Sequence, residues 1–172
     1  MRFSGEAFRA HDPMWSWTPL SGDGAALMGR RFNRKGQPAL YLSLSAMTAL
    51  REVSNGFGHR LTPLVLCSYD VDCEDIVDLR SEEARAEADV SLGDLACAWA
   101  EDLTRGREPA SHAVVQRLLA GGAAGILVPS FAVGAITDDQ NLVLWRWGPN
   151  LPYRVIVFDP SGRLPKNQLS WP

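Results

Sequence analysis

Three side chains that could act on one ligand lie within a short part of the sequence: Arg31, Tyr41 and Glu52. They supply a guanidinium, a phenol and a carboxylate. A guanidinium is permanently charged and donates hydrogen bonds through a planar fork. An aromatic ring offers a flat apolar face, and a carboxylate accepts hydrogen bonds. If folding brings the three groups to one cavity, that cavity can bind a ligand and place a carboxylate beside it.

The arginine and the tyrosine are predicted on two neighbouring strands. Residues 28–33 form a short extended run, a turn with glycine and proline follows, and residues 39–43 form a second strand. Side chains alternate between the two faces of a strand, so Arg31 and Asn33 are predicted to share a face. If the two strands pair, Arg31 and Tyr41 lie on one surface.

A helix is predicted to carry the glutamate. Ser45 is a suitable N-cap, and residues 46–53 carry apolar side chains at helical spacing. Glu52 falls at the edge of this apolar stripe. The helix can therefore bring the carboxylate towards the surface formed by the two strands.

Length and composition indicate one domain over residues 1–172, because 46% of the residues are hydrophobic and can form a core. The formal net charge of −3 argues against direct contact with nucleic acid, which needs a basic excess. No run approaches the ~20 apolar residues of a membrane span, and charges near the N-terminus argue against a signal peptide. We therefore expect a cytoplasmic protein whose three cysteines are reduced thiols.

The rest of the chain mixes strands and helices without a regular strand–helix–strand alternation. Strands are predicted for a first segment around Arg9 and for residues 64–71, 76–79, 126–128, 141–147 and 154–158. Helices are predicted for residues 81–88, from Ser91 through Leu103, and from a Ser111 cap to Gly121. A loop from Asn55 to Pro63 holds His59. This order predicts an α+β fold around one split or strongly bent sheet.

Several common motifs are excluded. The run GDGAALMG at residues 22–29 follows a proline-containing loop and is predicted to lead into a strand, whereas a dinucleotide loop must follow a strand and open a helix. No P-loop sequence is present. The histidines are scattered, and the aspartates at positions 70, 72, 75 and 78 alternate with apolar residues. We therefore expect no metal site.

Five short motifs in one order resemble the RES domain, a family named for an arginine, a glutamate and a serine. They are GRRFN, PALYLS, TALREV, LVPS and the pair Asn141-Leu142. The resemblance runs from about Phe8 to Trp147 and places Arg31, Tyr41, Glu52 and Ser130 at the family's positions. The chain differs at Arg30-Arg31-Phe32, where many relatives have Gly-Arg-Trp, and at Trp145-Arg146-Trp147, where an Asn-Pro pair is common. Its size and N-terminal half are similar to the ParT-like branch.

The resemblance implies an ADP-ribosyltransferase-like fold, a split or bent sheet flanked by helices, with NAD as substrate and no metal. Breaking the nicotinamide–ribose bond expels a neutral leaving group, so no general acid is needed. The barrier lies in an oxocarbenium-like ribosyl cation, which one carboxylate can stabilise. The resemblance assigns this role to Glu52.

It also implies residues that bind NAD. Arg31 suits the diphosphate or ribose phosphate, since its fork makes paired bonds to phosphate oxygens. Tyr41 suits stacking on nicotinamide or packing against ribose. Ser130 can donate to an amide or phosphate, Arg9 is a second phosphate contact, and Asn33 can order the site. A residue of each of these types more often has a structural role than a functional one. The prediction of an NAD site therefore depends on finding all of them together in the family's order.

The resemblance leaves open which group accepts the ADP-ribose after nicotinamide has left. A protein side chain would make the chain a mono-ADP-ribosyltransferase toxin, with phosphoribosyl pyrophosphate synthetase as the target known for the ParT branch. Water or phosphate would make it an NAD glycohydrolase or phosphorylase that depletes cellular NAD. A binding module without chemistry is the third alternative. Either toxin implies a cognate antitoxin of the Xre or helix-turn-helix type that covers the active site.

Overall fold

The computed structural model describes residues 1–54 and 62–169, so most of the loop predicted around His59 lies outside the described residues. Within them the chain has seven strands and six α-helices. The strands are β1 (Phe3–His11), β2 (Leu40–Ser43), β3 (Val65–Cys73), β4 (Ile76–Asp78), β5 (Gly125–Pro129), β6 (Gln140–Leu144) and β7 (Tyr153–Val157). The helices are α1 (Asp23–Met28), α2 (Ala46–Ser54), α3 (Glu82–Glu87), α4 (Leu92–Leu95), α5 (Trp99–Thr104) and α6 (Ala110–Ala120).

All seven strands belong to one mixed sheet in the order β4-β5-β6-β2-β1-β3-β7. β4 and β5 run parallel, and the other neighbours are antiparallel. The predicted α+β class is confirmed. In the described part of the chain, no helix is both long and apolar enough to cross a membrane.

The sheet is nearly divided in two between β1 and β2. β1 pairs with β3 along its whole length, from Phe3 opposite Cys73 to His11 opposite Val65. Its pairing with β2 is limited to Phe8 opposite Ser43. Strands that separate in this way leave a gap between their ends. The β1-β3-β7 half and the β4-β5-β6-β2 half therefore diverge, and a cleft can open between them.

Apolar side chains cover both faces of the sheet. Leu40, Leu142 and Tyr69 belong to the buried cluster on one face. Val143 and Ile126 belong to the cluster on the other face, together with residues of the helices α4 and α6. Because successive residues of β5 and β6 alternate between the two clusters, these central strands are buried on both sides and form a rigid support for the cleft.

The predicted strand over residues 28–33 is wrong. α1 extends to Met28, Gly29 follows with a φ of +69°, and residues 30–33 form a tight turn in which Arg30 and Asn33 bond each other. Alanine and leucine favour a helix here, and glycine tolerates the positive φ that ends it. Arg31 therefore projects from a turn and shares no strand face with Asn33.

The glycine-rich run at residues 22–29 accordingly opens a helix, not the predicted strand. A 3-10 turn (Pro13–Trp15) and further turns precede it, so no strand leads directly into it. A dinucleotide loop requires a strand, then a glycine loop, then a helix. The strand is missing here, so the run is not a dinucleotide loop.

The helix predicted from Ser91 through Leu103 is two short helices, α4 and α5. The Arg31 side chain donates to the backbone carbonyls of Leu95 and Cys97, at the break between them. The break between the two helices therefore lies where a long-range contact from the Arg31 turn reaches the backbone.

The predicted N-cap role of Ser111 is wrong as well. α6 begins at Ala110 after Pro109, and Ser111 Oγ donates to the backbone carbonyl of Arg31 at 2.6 Å. The hydroxyl therefore fastens the Arg31 turn to α6 instead of capping the helix.

The strands predicted at 39–43, 64–71, 76–79, 126–128 and 154–158 agree with the structure to within two residues. The first strand was predicted only as a short segment around Arg9, and β1 has nine residues. β6 ends at Leu144, before the predicted end at Trp147. The backbone N–H groups of Trp145 and Arg146 both donate to the carbonyl of Ala124, which interrupts the strand pairing. The indole of Trp145 donates to the carbonyl of Phe32 at 2.8 Å. This tryptophan is therefore a packing residue.

Candidate functional site

A cleft of about 1270 Å³ lies where β1 and β2 diverge. Arg31, Tyr41 and Glu52 all line it. Ligand pockets usually measure about 300–1,000 Å³, so this cleft is large enough for a dinucleotide. The three predicted groups therefore converge on one cavity, although Arg31 reaches it from a turn.

Glu52 stands in the last turn of α2 and is held by two neighbours. Ser130 Oγ donates to Glu52 Oε1 at 2.6 Å, and Asn141 Nδ2 donates to the same oxygen. Ser43 Oγ donates to Asn141 Oδ1 at 2.8 Å and so fixes the orientation of that amide. No donor to Glu52 Oε2 is found among the described residues. One carboxylate oxygen is anchored, and the other is left for a ligand.

Arg31 is half-buried and partly committed to the protein. Its Nη1 donates to the carbonyls of Leu95 at 2.9 Å and Cys97 at 2.8 Å. The guanidinium carbon lies 4.8 Å from the centroid of the Phe131 ring, a cation–π contact. Burial lowers the pKa of Arg31, and the nearby Glu52 carboxylate opposes this shift. The Nη2 and Nε groups have no partner among the described residues and can donate to a ligand.

Tyr41 uses its hydroxyl to hold the Arg31 turn. The hydroxyl accepts from the backbone N–H of Phe32 at 3.0 Å and donates to Asn33 Oδ1 at 2.8 Å. Burial raises the pKa of Tyr41, so the hydroxyl stays protonated. The phenol is therefore no acid or base for a ligand, whereas the ring remains on the cleft wall.

Asn33 is fully buried, and its amide is used inside the turn. Its Nδ2 donates to the carbonyls of Ala25, Arg34 and Gln37 at 2.9–3.0 Å. Asn33 was also predicted to contact a ligand directly, but its side chain has no exposed group that could do so. The ordering role that was predicted beside it fits these bonds, because one amide ties α1, the turn and the approach to β2 together.

Ser130 and Arg9 occupy different parts of the site. Ser130 follows β5, and its hydroxyl is engaged with Glu52. Arg9 lines the cleft from β1, but its Nη1 donates to the carbonyls of Pro19 at 3.1 Å and Ser21 at 3.0 Å. Burial lowers the pKa of Arg9. Both side chains are placed by protein contacts, and their contact with a ligand stays a prediction.

Cations outnumber acids on the described wall of the cleft. The lining cations are Arg9, Arg30, Arg31 and Lys35, and the lining acids are Asp23 and Glu52. Arg30 and Lys35 are exposed, and no ion pair to either is found within residues 1–54 and 62–169. In a chain with a net charge of −3, this local excess favours an anionic ligand.

Two parts of the site were missed in the sequence. Asn141 belongs to a motif that supported the family resemblance, yet its bond to Glu52 was not predicted. Asp139, two residues earlier, bonds both Thr48 and Arg51 of α2. The pairing of β6 with β2 brings Asn141 next to Ser43. No local pattern gives this register, which depends on the packed sheet.

No cluster of three or more metal-ligating side chains occurs in the residues that the structure describes. The aspartates near β3 and β4 are bonded to basic or phenolic groups. Asp72 pairs with Arg2 at 2.6 Å, and Asp78 pairs with Arg80 at 2.7 Å. These carboxylates stabilise the fold.

The fold and the cleft define an α+β protein that can bind an anionic ligand between the two halves of a split sheet and present a hydrogen-bonded carboxylate to it. The sequence matches the RES domain over residues 6–167, so the chain belongs to the RES domain family. A comparison with curated proteins found no match.

A solved structure with a similar fold is the crystal structure of the M. tuberculosis MbcT-MbcA toxin-antitoxin complex. The match has a TM-score of 0.58 and 22% sequence identity, and it covers 92% of this chain and 84% of the other. At this identity the likeness concerns the fold, and the predicted architecture is confirmed.

Proposed function

We propose that this protein is the toxin of a toxin–antitoxin pair and that it cleaves the nicotinamide–ribose bond of NAD in the cleft. The main support for the proposal is the way in which the Glu52 carboxylate is hydrogen-bonded. Ser130 and Asn141 both bond its Oε1, whereas no donor to Oε2 is found in the described part of the chain, and Glu52 lines a cavity of about 1270 Å³. Membership in the RES domain family supports the same reading.

The chemistry of this bond suits a single carboxylate. Nicotinamide leaves as a neutral molecule, so no acid has to protonate it. Positive charge develops on the ribose as the bond breaks, and a carboxylate fixed beside that charge stabilises it without reorganising. Glu52 Oε2 supplies the charge and can also accept from a ribose hydroxyl.

The opposite wall suits the remaining parts of the dinucleotide. Arg31 Nη2 and Nε can donate to the diphosphate, and the exposed Arg30 and Lys35 add positive charge at the same wall. Arg9 is a further phosphate contact. The ring of Tyr41 offers the nicotinamide a flat face.

We infer that the acceptor is a protein side chain, which makes the enzyme a mono-ADP-ribosyltransferase. Exposed apolar side chains stand at the rim of the cleft, among them Leu27 at 69% and Val133 at 71% exposure. Exposed apolar groups around a polar site favour a protein partner. Phosphoribosyl pyrophosphate synthetase is the candidate target from the ParT-like resemblance.

The alternative is an NAD glycohydrolase or phosphorylase. Glu52 Oε2 belongs to an exposed residue on the cleft wall, so water or phosphate could reach the ribosyl cation there. In this case the released ADP-ribosyl group never becomes attached to protein.

We further propose a cognate antitoxin, of the helix-turn-helix type, that covers the cleft. The apolar rim offers it a surface, and the similar fold of MbcT was solved in a toxin-antitoxin complex. The net charge of −3 fits a toxin that leaves DNA contact to its partner.

The test is incubation of the pure protein with NAD labelled in the adenine half, with and without a cell lysate. Nicotinamide release together with label on a lysate protein supports the transferase. Nicotinamide release without label on any protein selects the glycohydrolase or phosphorylase. No nicotinamide release under either condition contradicts the enzymatic proposal and leaves a binding module.

A further inference from the structure

Asp139 joins α2 to the loop of residues 130–139. It is only 4% exposed. Its Oδ1 accepts from Thr48 Oγ1 at 2.6 Å, and its Oδ2 accepts from the Arg51 side chain and from the backbone N–H of Ile136 at 2.8 Å. These bonds lower the pKa of Asp139 against the effect of its burial. The carboxylate is ionised at neutral pH and binds two elements at once.

The two elements that Asp139 joins are those that hold Glu52. Arg51 precedes Glu52 directly on α2. Ser130, which donates to Glu52 Oε1, also donates its backbone N–H to the carbonyl of Asp139 at 2.8 Å. Asn141, the second donor to Oε1, follows Asp139 by two residues. Asp139 is therefore bonded to the neighbour of Glu52 on α2 and to Ser130, and it is close in sequence to Asn141.

We propose that Asp139 is a positioning residue for the reaction. It fixes α2 against the 130–139 loop, keeps Glu52 Oε1 between Ser130 and Asn141, and so leaves Oε2 directed at the substrate. The proposal rests on the function proposed for Glu52. Asp139 itself is buried and is not among the residues that line the cleft.

A fixed position matters here because Glu52 is an exposed side chain with several rotatable bonds. An unrestrained glutamate samples many rotamers, and few of them place an oxygen beside the ribose. A displacement of about 1 Å at a reacting group can reduce the rate by about 100-fold. NAD contacts the opposite wall as well, so a displaced Glu52 reduces turnover and leaves NAD binding largely unchanged.

The first test compares Asp139→Asn with Asp72→Asn. Asp72 is a matched control, because it is 7% exposed and bonded through both oxygens to Arg2, and it does not line the cleft. We expect Asp139→Asn to lower kcat for nicotinamide release by about 30- to 100-fold with KM within about threefold. Asp72→Asn should change stability without changing kcat. A folded Asp139→Asn protein with wild-type kcat would overturn the proposal.

A double-variant cycle separates positioning from general destabilisation. Ser130→Ala and Asp139→Asn act on the same carboxylate, so their combined loss in kcat should be well below the product of the single losses. If the losses multiply, Asp139 does not act through Glu52. Should Asp139→Asn fail to fold, Thr48→Val removes one bond to the aspartate and should lower kcat by about fivefold. Unchanged kcat in that variant would overturn the proposal.

A crystal structure of Asp139→Asn tests the inference without catalysis. We expect Glu52 Oε1 to lose its bonds to Ser130 and Asn141, whereas an unchanged carboxylate would overturn the positioning role. This readout keeps the two proposals apart. A wild-type protein that releases no nicotinamide contradicts the proposed function, and the position of Glu52 in the variant still decides the role of Asp139.

Discussion

The two walls of the cleft use their polar groups in different ways. On the wall formed by residues 29–41, the Tyr41 hydroxyl and the Asn33 amide bond only the protein, and Arg31 is partly engaged. On the wall formed by α2 and the loop after β5, Glu52 is bonded through Oε1, and its Oε2 has no donor among residues 1–54 and 62–169. The first wall therefore sets the shape and charge of the cleft, and the second carries the carboxylate that we propose as the reacting group. Substitutions on the two walls should separate into effects on binding and stability and effects on turnover.

The largest effect is expected for Glu52→Gln. Glutamine has the same shape, and its amide oxygen can still accept from Ser130 and Asn141, but it carries no charge to stabilise the ribosyl cation. We expect kcat for nicotinamide release to fall by about 10³-fold, with the dissociation constant of NAD changed by less than about threefold. Single-turnover kinetics and calorimetry measure the two quantities. Glu82→Gln, an exposed residue on α3, is the control, and equal activity of the two variants would remove Glu52 from catalysis.

Arg31→Lys should be the next most damaging change. Lysine keeps the charge but lacks the fork that bonds the carbonyls of Leu95 and Cys97 and still donates to a ligand. We expect kcat/KM to fall by about 100-fold, mainly through KM. Arg163→Lys, at an exposed position near the C-terminus, should leave kcat/KM unchanged. A pure kcat effect of Arg31→Lys would contradict the assignment of this wall to binding.

Tyr41→Phe should affect stability more than catalysis. The variant keeps the ring on the cleft wall and leaves the N–H of Phe32 and the Asn33 Oδ1 without their partner. We expect the free energy of unfolding to fall by about 2 kcal/mol in urea denaturation and kcat to change by less than about threefold. Tyr153→Phe, which loses a bond to the exposed Asp75, should lower the free energy of unfolding by much less. A large loss of kcat in a stable Tyr41→Phe protein would give the hydroxyl a catalytic role.

Lys35→Ala should have the smallest effect. This exposed lysine contributes charge to the cleft through solvent, so its removal should raise KM by about three- to fivefold at low ionic strength and leave kcat unchanged. The difference should disappear at high salt, because exposed charges are screened. Lys166→Ala is the matched control outside the cleft. An effect independent of salt would indicate a direct contact or a change in the turn.

The sequence predicted which residues meet in the cleft better than how they reach it. Ser45 caps α2 as predicted, through a bond from the Thr48 N–H at 3.0 Å, so Glu52 is correctly placed on a helix. The α+β class also followed from the irregular order of the elements. The helix cap and the order of the elements depend on short-range sequence patterns, which can be recognised in a single sequence.

The errors occurred where long-range contacts override local preference. The Arg31 turn was predicted as a strand, because its bonds to α4 and α6 involve residues 64 and 80 positions away in sequence. The bond from Asn141 to Glu52 depends on the register of β6, and the bonds of Asp139 to α2 join residues about 90 positions apart. The register between strands is set only when the sheet is assembled, so it cannot be predicted from residues that are adjacent in sequence.

The most direct test of the account is a crystal structure of Glu52→Gln soaked with NAD. Glutamine at this position should slow cleavage enough to keep the dinucleotide intact. We expect the nicotinamide ring against Tyr41, the ribose beside residue 52 and the diphosphate within hydrogen-bonding distance of Arg31. NAD bound outside the cleft, or a cleft that stays empty at saturating NAD, would contradict the proposal that these three residues form one dinucleotide site.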